Sequence, residues 1–199
     1  PRPAGRRVAG VAAAPVGGLM AGGSPRLPAA RLFFALWPDD VVRSELVAVQ
    51  QAWHWPPGAR LTPPERLHLT LHFLARVRRE RVTQLMEQVD VPCAGFELRL
   101  DRAGCWPGGV AWLRPCETPV ALLELHHRIG TALQALGWPL EARRHQPHVT
   151  LARDAQGAAE PKAVGIDWRV DGYALVESRL GAGGGYEVLR RYPARLPQP

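Results

Sequence analysis

Residues 65–74 have the sequence ERLHLTLHFL, in which apolar and polar side chains alternate from residue 67 onward. This alternation predicts a β-strand, because successive side chains of a strand point to opposite faces of the sheet. His68 and Thr70 would then share one face, and the leucines between them would share the other. The stretch therefore predicts a strand that anchors itself in a core while it presents an imidazole beside a hydroxyl.

The same arrangement occurs a second time at 148–151, where the sequence is HVTL. With 7 histidines and 6 threonines in 199 residues, chance predicts about 0.2 His-x-Thr matches. Both copies follow a proline-containing loop, and both are followed by leucine. The repeat indicates a duplicated functional element made of His68, Thr70, His148 and Thr150.

Two imidazoles and two hydroxyls can supply the acid, the base and the hydrogen-bond donors that help to open a cyclic phosphodiester. One imidazole can take a proton from water and the other can protonate the departing ribose oxygen, since histidine titrates near neutral pH. The hydroxyls can donate hydrogen bonds to the phosphate oxygens as negative charge builds. Two alternatives stay open here: hydrogen-bonded core histidines, expected for His72 and His127, and a zinc pair, for which no further ligands show supporting spacing.

The composition is that of an ordinary globular protein with an arginine-rich balance. Apolar residues make up 46% and charged residues 22%, the formal net charge is +7, and Lys162 is the only lysine. Guanidinium groups suit a polyanionic ligand, although a GC-rich coding sequence would produce the same composition. The three cysteines lack paired spacing and predict reduced thiols in a cytoplasmic protein. The sequence contains no run of about 18 apolar residues and therefore predicts no membrane-spanning helix.

The sequence divides into three segments. Residues 1–30 are rich in Pro, Gly, Ala and Arg without a period, which predicts a disordered extension. The folded domain is expected at 31–193, followed by a tail at 194–199.

Periodicity predicts the order βαβα, a hairpin, αβ and a final strand pair. Strands are expected at 31–37, 67–74, 96–100, 110–113, 148–152, 173–178 and 186–192. The hairpin would join 96–100 to 110–113 around the turn at 107–109. Helices are expected after a cap at Asp39 or Asp40, at 78–89, and at 118–136, where Val120, Leu123, His127 and Leu133 follow helical spacing. The glycines at 181–185 lie between two strands, which argues against a nucleotide-binding parallel fold and favours antiparallel sheets in an α+β protein.

These landmarks resemble the two-histidine (2H) phosphoesterases, and among them the LigT-type RNA 2′,3′-cyclic phosphodiesterases, also called 2′-5′ RNA ligases. The matching segments are RLFFALWP at 31–38, ERLHLTLHFL at 65–74, GVAWL at 109–113, HQPHVTLAR at 145–153 and the last strand at 186–192. The resemblance implies an α+β fold of two pseudo-symmetric lobes, each an antiparallel sheet backed by helices, with the active-site cleft between them.

The resemblance also implies roles for five residues. His68 would donate a proton to the leaving 3′-oxygen, and His148 would be the base that activates water, leaving a 2′-phosphate. Thr70 and Thr150 would hold the phosphate, and Arg153 would add a further contact. No cofactor or metal is implied. The expected partner of this monomeric enzyme is RNA with 2′,3′-cyclic phosphate ends, tRNA halves included.

Three other functions remain open: reversible 2′-5′ ligation of tRNA halves, phosphodiester hydrolysis on a small cyclic nucleotide, and a binding module that holds RNA ends without turnover. Binding alone would be served better by Arg or Lys than by intact histidines and threonines.

Several residues bear on the substrate rather than on the reaction class. Family members often have Gly where this chain has Ala75, and 145–148 replaces a commoner Phe-His-Pro-His. The aromatic residues Phe33, Phe34 and Trp37 could stack on a base or belong to the core of the first strand. The neighbouring Arg143 and Arg144 could steer RNA or form a solvated pair.

Overall fold

The computed structural model describes residues 29–140, 144–179 and 184–195. The predicted extension at 1–30, except for its last two residues, therefore lies outside the described residues, as do Arg143 and 196–199. The strands in the described ranges are β1 (Ala30–Leu36), β2 (Arg60–Leu61), β3 (Leu69–Val77), β4 (Phe96–Leu100), β5 (Arg102–Cys105), β6 (Ala111–Arg114), β7 (Val149–Arg153), β8 (Ile166–Val170), β9 (Gly172–Ser178) and β10 (Tyr186–Pro193).

The helices are α1 (Asp40–Gln51), α2 (Val82–Gln88) and α3 (Val120–Ala135), with short 3-10 turns at Pro64–Arg66 and Arg79–Arg81. The side chain of Asp39 caps α1, because its carboxylate accepts the backbone N–H of Val42 at 2.9 Å. This confirms one of the two predicted caps. In the described ranges, no helix has the length and apolar character that crossing a membrane requires.

One antiparallel sheet runs through the molecule in the order β10–β9–β1–β3–β7–β6–β5, and β2 pairs with β7. Within this sheet β3 and β7 share a single residue pair, Leu69 with Val149. The pair joins one half, made of β10, β9, β1 and β3, to the other half, made of β7, β6, β5 and β2. The prediction of an α+β fold with two antiparallel halves is confirmed, and the two His-x-Thr motifs lie at the joint.

The predicted hairpin between 96–100 and 110–113 is wrong. The turn at 107–109 connects β5 to β6, and β4 pairs instead with β8, a strand that the sequence analysis missed. Both β4 and β8 bury every second residue. Two half-buried strands with matching apolar faces pair favourably even when they are far apart in sequence. The turn at 107–109 indicated the pairing of 96–100 with 110–113 only because these segments are close along the chain.

The buried face of α3 also differs from the prediction. Val120 and Leu123 are 69% and 47% exposed, and His127 is exposed as well. The side chains that pack into the core are Leu122, Leu125, Ile129 and Leu133. This helix carries apolar residues on more than one side, so its local pattern does not determine which side the sheet covers.

Helix α1 is fastened to the second half of the sheet by a buried glutamine. The Gln50 side-chain amide donates to the carbonyl of Leu151 at 2.8 Å and to the carbonyl of Thr62 at 3.0 Å. Gln50 is 4% exposed, and a buried amide that lost both acceptors would be costly. The two bonds therefore help to hold β7, which carries the second motif, in register with the rest of the domain.

The three cysteines differ in their burial. Cys93 is buried, Cys105 is half-buried and Cys116 is exposed, and all three are unpaired, as predicted.

The first tail residues pack on the domain, because the backbone N–H of Ala194 donates to the carbonyl of Asp171 and that of Arg195 donates to the carbonyl of Cys93, both at 2.8 Å.

Candidate active site

The two His-x-Thr motifs meet in one cavity at the joint between the halves of the sheet. Each histidine lies one residue before its strand, and each threonine is the second residue of that strand. Pairing of Leu69 with Val149 sets the two motifs side by side. His68, Thr70, His148 and Thr150 all line a cavity of about 370 Å³, called the central cavity below.

Both imidazoles are held in the same way by their own chain. The Nδ1 of His68 lies 2.6 Å from the carbonyl oxygen of Arg66, and the Nδ1 of His148 lies 2.7 Å from that of Gln146. A carbonyl only accepts, so each Nδ1 carries a proton and donates it. In the neutral ring the basic nitrogen is then Nε2 on both histidines. The duplicated bond therefore orients two equivalent proton-transfer groups.

Three aromatic rings surround the imidazole of His68 and shield it from water. Its ring centroid is 4.7 Å from Phe33, 5.7 Å from the nearly parallel ring of Trp37, and 5.3 Å from the edge-on ring of Tyr186. Burial lowers the pKa of His68 to about 4, the Arg66 carbonyl opposes this change, and the charges of His148 and Arg153 add to the lowering. Without a ligand, His68 is therefore neutral at pH 7.

The core alternative is confirmed for Phe33 and Phe34, which are 2% and 0% exposed, and base stacking by Trp37 stays a prediction. Phe34 is fully buried in the core, whereas Phe33 lines the central cavity and Trp37 stacks on His68. Phe33 and Trp37 therefore act on the environment of the histidine rather than on core packing alone. No pattern in the sequence indicates the contact of Tyr186 with His68, because the two residues are far apart along the chain.

Three arginines line the central cavity, and no Asp or Glu is among the described residues that do so. Arg153 was expected from the resemblance. Arg31 and Arg66 were not, and they are placed by contacts outside the motifs: Arg31 lies over the ring of Phe73, and Arg66 lies over Tyr186 and donates to the Gly184 carbonyl at 2.6 Å. Three guanidinium groups make the cavity suited to a phosphate ester.

Beside the central cavity, three further histidines form a stack. The rings of His72 and His126 are 4.1 Å apart, and those of His126 and His145 are 4.0 Å apart, with interplanar angles of 17° and 9°. His145 also donates from Nε2 to the carbonyl of Thr70 at 3.1 Å, which links the loop before β7 to β3. His72 is buried and donates to the His126 carbonyl at 2.8 Å, as expected for a core histidine.

Burial of the stack favours the neutral form of two of its rings, those of His126 and His145. Burial, followed by the charges of the neighbouring histidines, lowers the pKa of His126 to about 3. Burial also lowers the pKa of His145, against the opposing effect of its bond to Thr70. In the unfolded chain these rings would titrate near 6.5.

We therefore expect acid to destabilise the fold. Below pH 6.5 the unfolded state binds protons that the folded rings exclude, so the free energy of unfolding falls as the pH is lowered toward 3, by at most about 1.4 kcal/mol per pH unit for each histidine. Urea unfolding at about pH 7 and about pH 5 measures the loss. His126→Leu should show a smaller loss than the unsubstituted chain, and an equal loss in both would contradict the assignment.

The sequence model of the 2′-5′ RNA ligase superfamily matches residues 38–181. The chain belongs to this superfamily. Among its members, the RNA 2′,3′-cyclic phosphodiesterase of Escherichia coli is 34% identical over 81% of this chain and 92% of its own length. The enzyme of the same name from Thermus thermophilus is 30% identical over 83% of this chain and 90% of its own.

A solved member of the superfamily has the same architecture. LigT of E. coli in apo form matches with a TM-score of 0.76 and 30% identity, covering 85% of this chain and 100% of that one. The resemblance noted in the sequence is thereby confirmed. Among the described residues of the present chain, no group of three His, Cys, Asp or Glu side chains is placed to hold a metal ion. Metal independence stays a prediction.

Proposed function

We propose that this chain hydrolyses the 2′,3′-cyclic phosphate ends of RNA to 2′-phosphates, with His68 and His148 as its acid and base. The observation that carries the proposal is the duplicated Nδ1–H to carbonyl bond, which leaves both Nε2 atoms as the basic nitrogens at one arginine-lined cavity. The names of the E. coli and T. thermophilus relatives support the same substrate class.

The reaction is one displacement at phosphorus. The Nε2 of His148 takes a proton from water, and the water oxygen forms a bond to phosphorus. The bond from phosphorus to the ribose 3′-oxygen breaks, and His68 gives the Nε2 proton to that oxygen. The products are a 3′-hydroxyl and a 2′-phosphate. The hydroxyls of Thr70 and Thr150, with Arg153, would bind the non-bridging oxygens as charge develops.

Thr70 couples the protonation of His68 to phosphate binding. In the ligand-free structure its Oγ1 lies 3.0 Å from the Nε2 of His68, and the hydroxyl is the donor while that nitrogen is unprotonated. When Nε2 gains a proton, it becomes a donor, and the Thr70 hydroxyl is released. The same event thus supplies the acid and frees a donor for the phosphate.

The proposed donor role requires the phosphate ester to raise the pKa of His68 well above its ligand-free value of about 4. A negative charge near the ring favours the imidazolium form. By linkage, a phosphate ester should bind more tightly as the pH falls. The His68 ring signal, titrated by NMR with and without adenosine 2′-phosphate, measures the change.

Adenosine without phosphate is the control and should leave this pKa unchanged. An unchanged pKa with adenosine 2′-phosphate would mean that His68 stays neutral near pH 7. The donor and base roles would then have to be exchanged between the two histidines.

Product analysis tests the reaction itself. The purified chain is incubated with EDTA and an oligonucleotide that ends in a 2′,3′-cyclic phosphate, and the position of the product phosphate is determined. We expect a 2′-phosphate, because the proposed acid protonates the 3′-oxygen. A 3′-phosphate product would mean that the substrate binds in the opposite orientation, with its 2′-oxygen as the leaving group. Loss of activity in EDTA would contradict metal independence.

The finer assignments belong to the same proposal. One chain supplies both histidines, which supports a monomer as the active unit. The unpaired cysteines support a cytoplasmic location, where thiols stay reduced. Fragments such as tRNA halves would carry the required ends. Adding an RNA fragment with a 5′-hydroxyl to the product assay would reveal 2′-5′ ligation, the reverse use of the same site.

A further inference from the structure

A side chain from helix α1 joins the two segments that hold His68 in place. The Nη1 of Arg43 donates to the carbonyl of Pro64 at 2.7 Å, and its Nη2 donates to the carbonyl of Pro38 at 2.9 Å. Pro64 begins the 3-10 turn that precedes the first motif, and Pro38 directly follows Trp37. The guanidinium of Arg43 therefore bridges the turn before the first motif and the chain that leaves β1.

The turn before the first motif sets both the backbone and the ring orientation of His68. Besides the bond from Arg43, the carbonyl of Pro64 accepts the backbone N–H of Leu67 at 3.2 Å, which closes the turn one residue before the histidine. The turn ends at Arg66, whose carbonyl accepts the Nδ1 proton of His68 at 2.6 Å. A shift of this turn would therefore move the histidine and the acceptor that orients its ring.

The second segment holds the same imidazole through Trp37. The indole ring lies 5.7 Å from the ring of His68 at an interplanar angle of 21°. The guanidinium carbon of Arg43 is 5.8 Å from the centroid of the indole ring, a distance at which an arginine and a tryptophan attract each other. Arg43 thus contacts the ring that shields His68 as well as the backbone on either side of the histidine's environment.

The contacts of Arg43 are those of a link within the fold. Among the described residues, no Asp or Glu forms an ion pair with Arg43. The residue also does not line the central cavity. Its planar pair of donors instead bonds to two carbonyls, a geometry that a guanidinium group can span.

We propose that Arg43 is a positioning residue for the reaction: it fixes Trp37 and the turn before the first motif, and through them it holds the ring of His68 in place. Arg43 itself touches neither the phosphate nor the reacting water. This inference rests on the proposed function, because the role of acid belongs to His68 there. It adds a residue of α1 to the set on which the proton transfer depends.

Titration of the ligand-free protein tests the proposal without turnover. The pKa of His68, measured by NMR of its ring, is low mainly because the ring is buried. Arg43→Met removes both carbonyl bonds and frees Trp37 to move, so water should reach the ring and the pKa should rise from about 4 toward 6.5. An unchanged pKa would overturn the proposal. Every variant keeps the other titratable or charged groups around this ring, which are Arg66, His148, Arg153 and Tyr186.

A double-mutant cycle separates the effect of packing from that of charge. In a Trp37→Leu background the indole that Arg43 contacts is gone, so Arg43→Met should shift the pKa of His68 much less than it does in the unsubstituted chain. An equal shift in both backgrounds would mean that the charge of Arg43 acts on His68 directly, which would overturn the proposal. If Arg43→Met does not fold, Arg43→Lys takes its place in the cycle, because it keeps the charge without the planar pair of donors.

Kinetics test the effect of positioning on the reaction. Arg43→Met should lower kcat for adenosine 2′,3′-cyclic phosphate about tenfold, because a small displacement of an acid from its acceptor slows proton transfer. The KM should change little, because Arg43 does not line the central cavity. If the unsubstituted chain does not hydrolyse this substrate, the proposed function fails, and the titration still decides whether Arg43 positions His68.

Arg190→Met is the matched control. The guanidinium of Arg190 also donates to a backbone carbonyl, that of Met86 at 2.6 Å, and lies 4.8 Å from the ring of Tyr192, but Arg190 is not among the residues that line the central cavity. We expect this variant to lower the free energy of unfolding in urea without changing kcat or the pKa of His68. Equal losses of kcat in the Arg43 and Arg190 variants would indicate a general structural effect and overturn the proposal.

Discussion

His148→Ala is expected to lower kcat for cyclic phosphate hydrolysis by roughly 10²- to 10⁴-fold, the contribution typical of a positioned general base. The fold should be retained, because His148 is half-buried, precedes β7, and contacts its own loop and Trp106. Measuring kcat and the circular dichroism spectrum together separates loss of chemistry from loss of structure. An activity close to that of the unsubstituted chain would refute the assignment of the base.

His54→Ala is the matched control for this substitution. His54 is exposed and lies outside the central cavity, so the same change of side chain there should leave kcat as it is. The double variant His68→Ala/His148→Ala adds a further check. If the two histidines act as a unit, the double variant should lose little more activity than the worse of the two single variants. Losses that multiply would indicate independent roles.

Thr150→Val is expected to lower kcat by roughly 10²- to 10³-fold, as removal of one donor to a developing negative charge does in other enzymes. Valine keeps the size and branching of threonine, and Thr150 is half-buried beside the central cavity, so the free energy of unfolding should change little. Rate measurements at saturating substrate, with urea unfolding alongside, test both parts of this expectation.

Thr150→Ser keeps the hydroxyl and should recover most of the rate. If Thr150→Val is as active as the serine variant, the hydroxyl does not bind the phosphate. Thr70→Val should differ from Thr150→Val, because Thr70 also contacts the Nε2 of His68 at 3.0 Å. Its loss should therefore shift the pH dependence of kcat as well as lower its magnitude.

Much of the fold follows from local patterns in the sequence. Alternation at 67–74 and the apolar run at 31–37 indicated β3 and β1 to within a few residues, and the cap at Asp39 was one of the two predicted. The candidate site was equally accessible: His68, Thr70, His148 and Thr150 were selected from a duplicated pattern, and the structure brings all four together. Strand and helix periods, caps and short motifs depend on neighbouring residues, so the sequence by itself determined these features.

Other features were decided by the tertiary structure alone. The pairing of β4 with β8, the buried side of α3 and the contact of Arg66 with Tyr186 all depend on residues that are far apart in the chain. The low pKa of His68 likewise requires the aromatic surround, since burial is its main cause. Strand pairing, burial and ring stacking are set by the competition among all apolar surfaces for one core, and no local pattern contains the outcome of that competition.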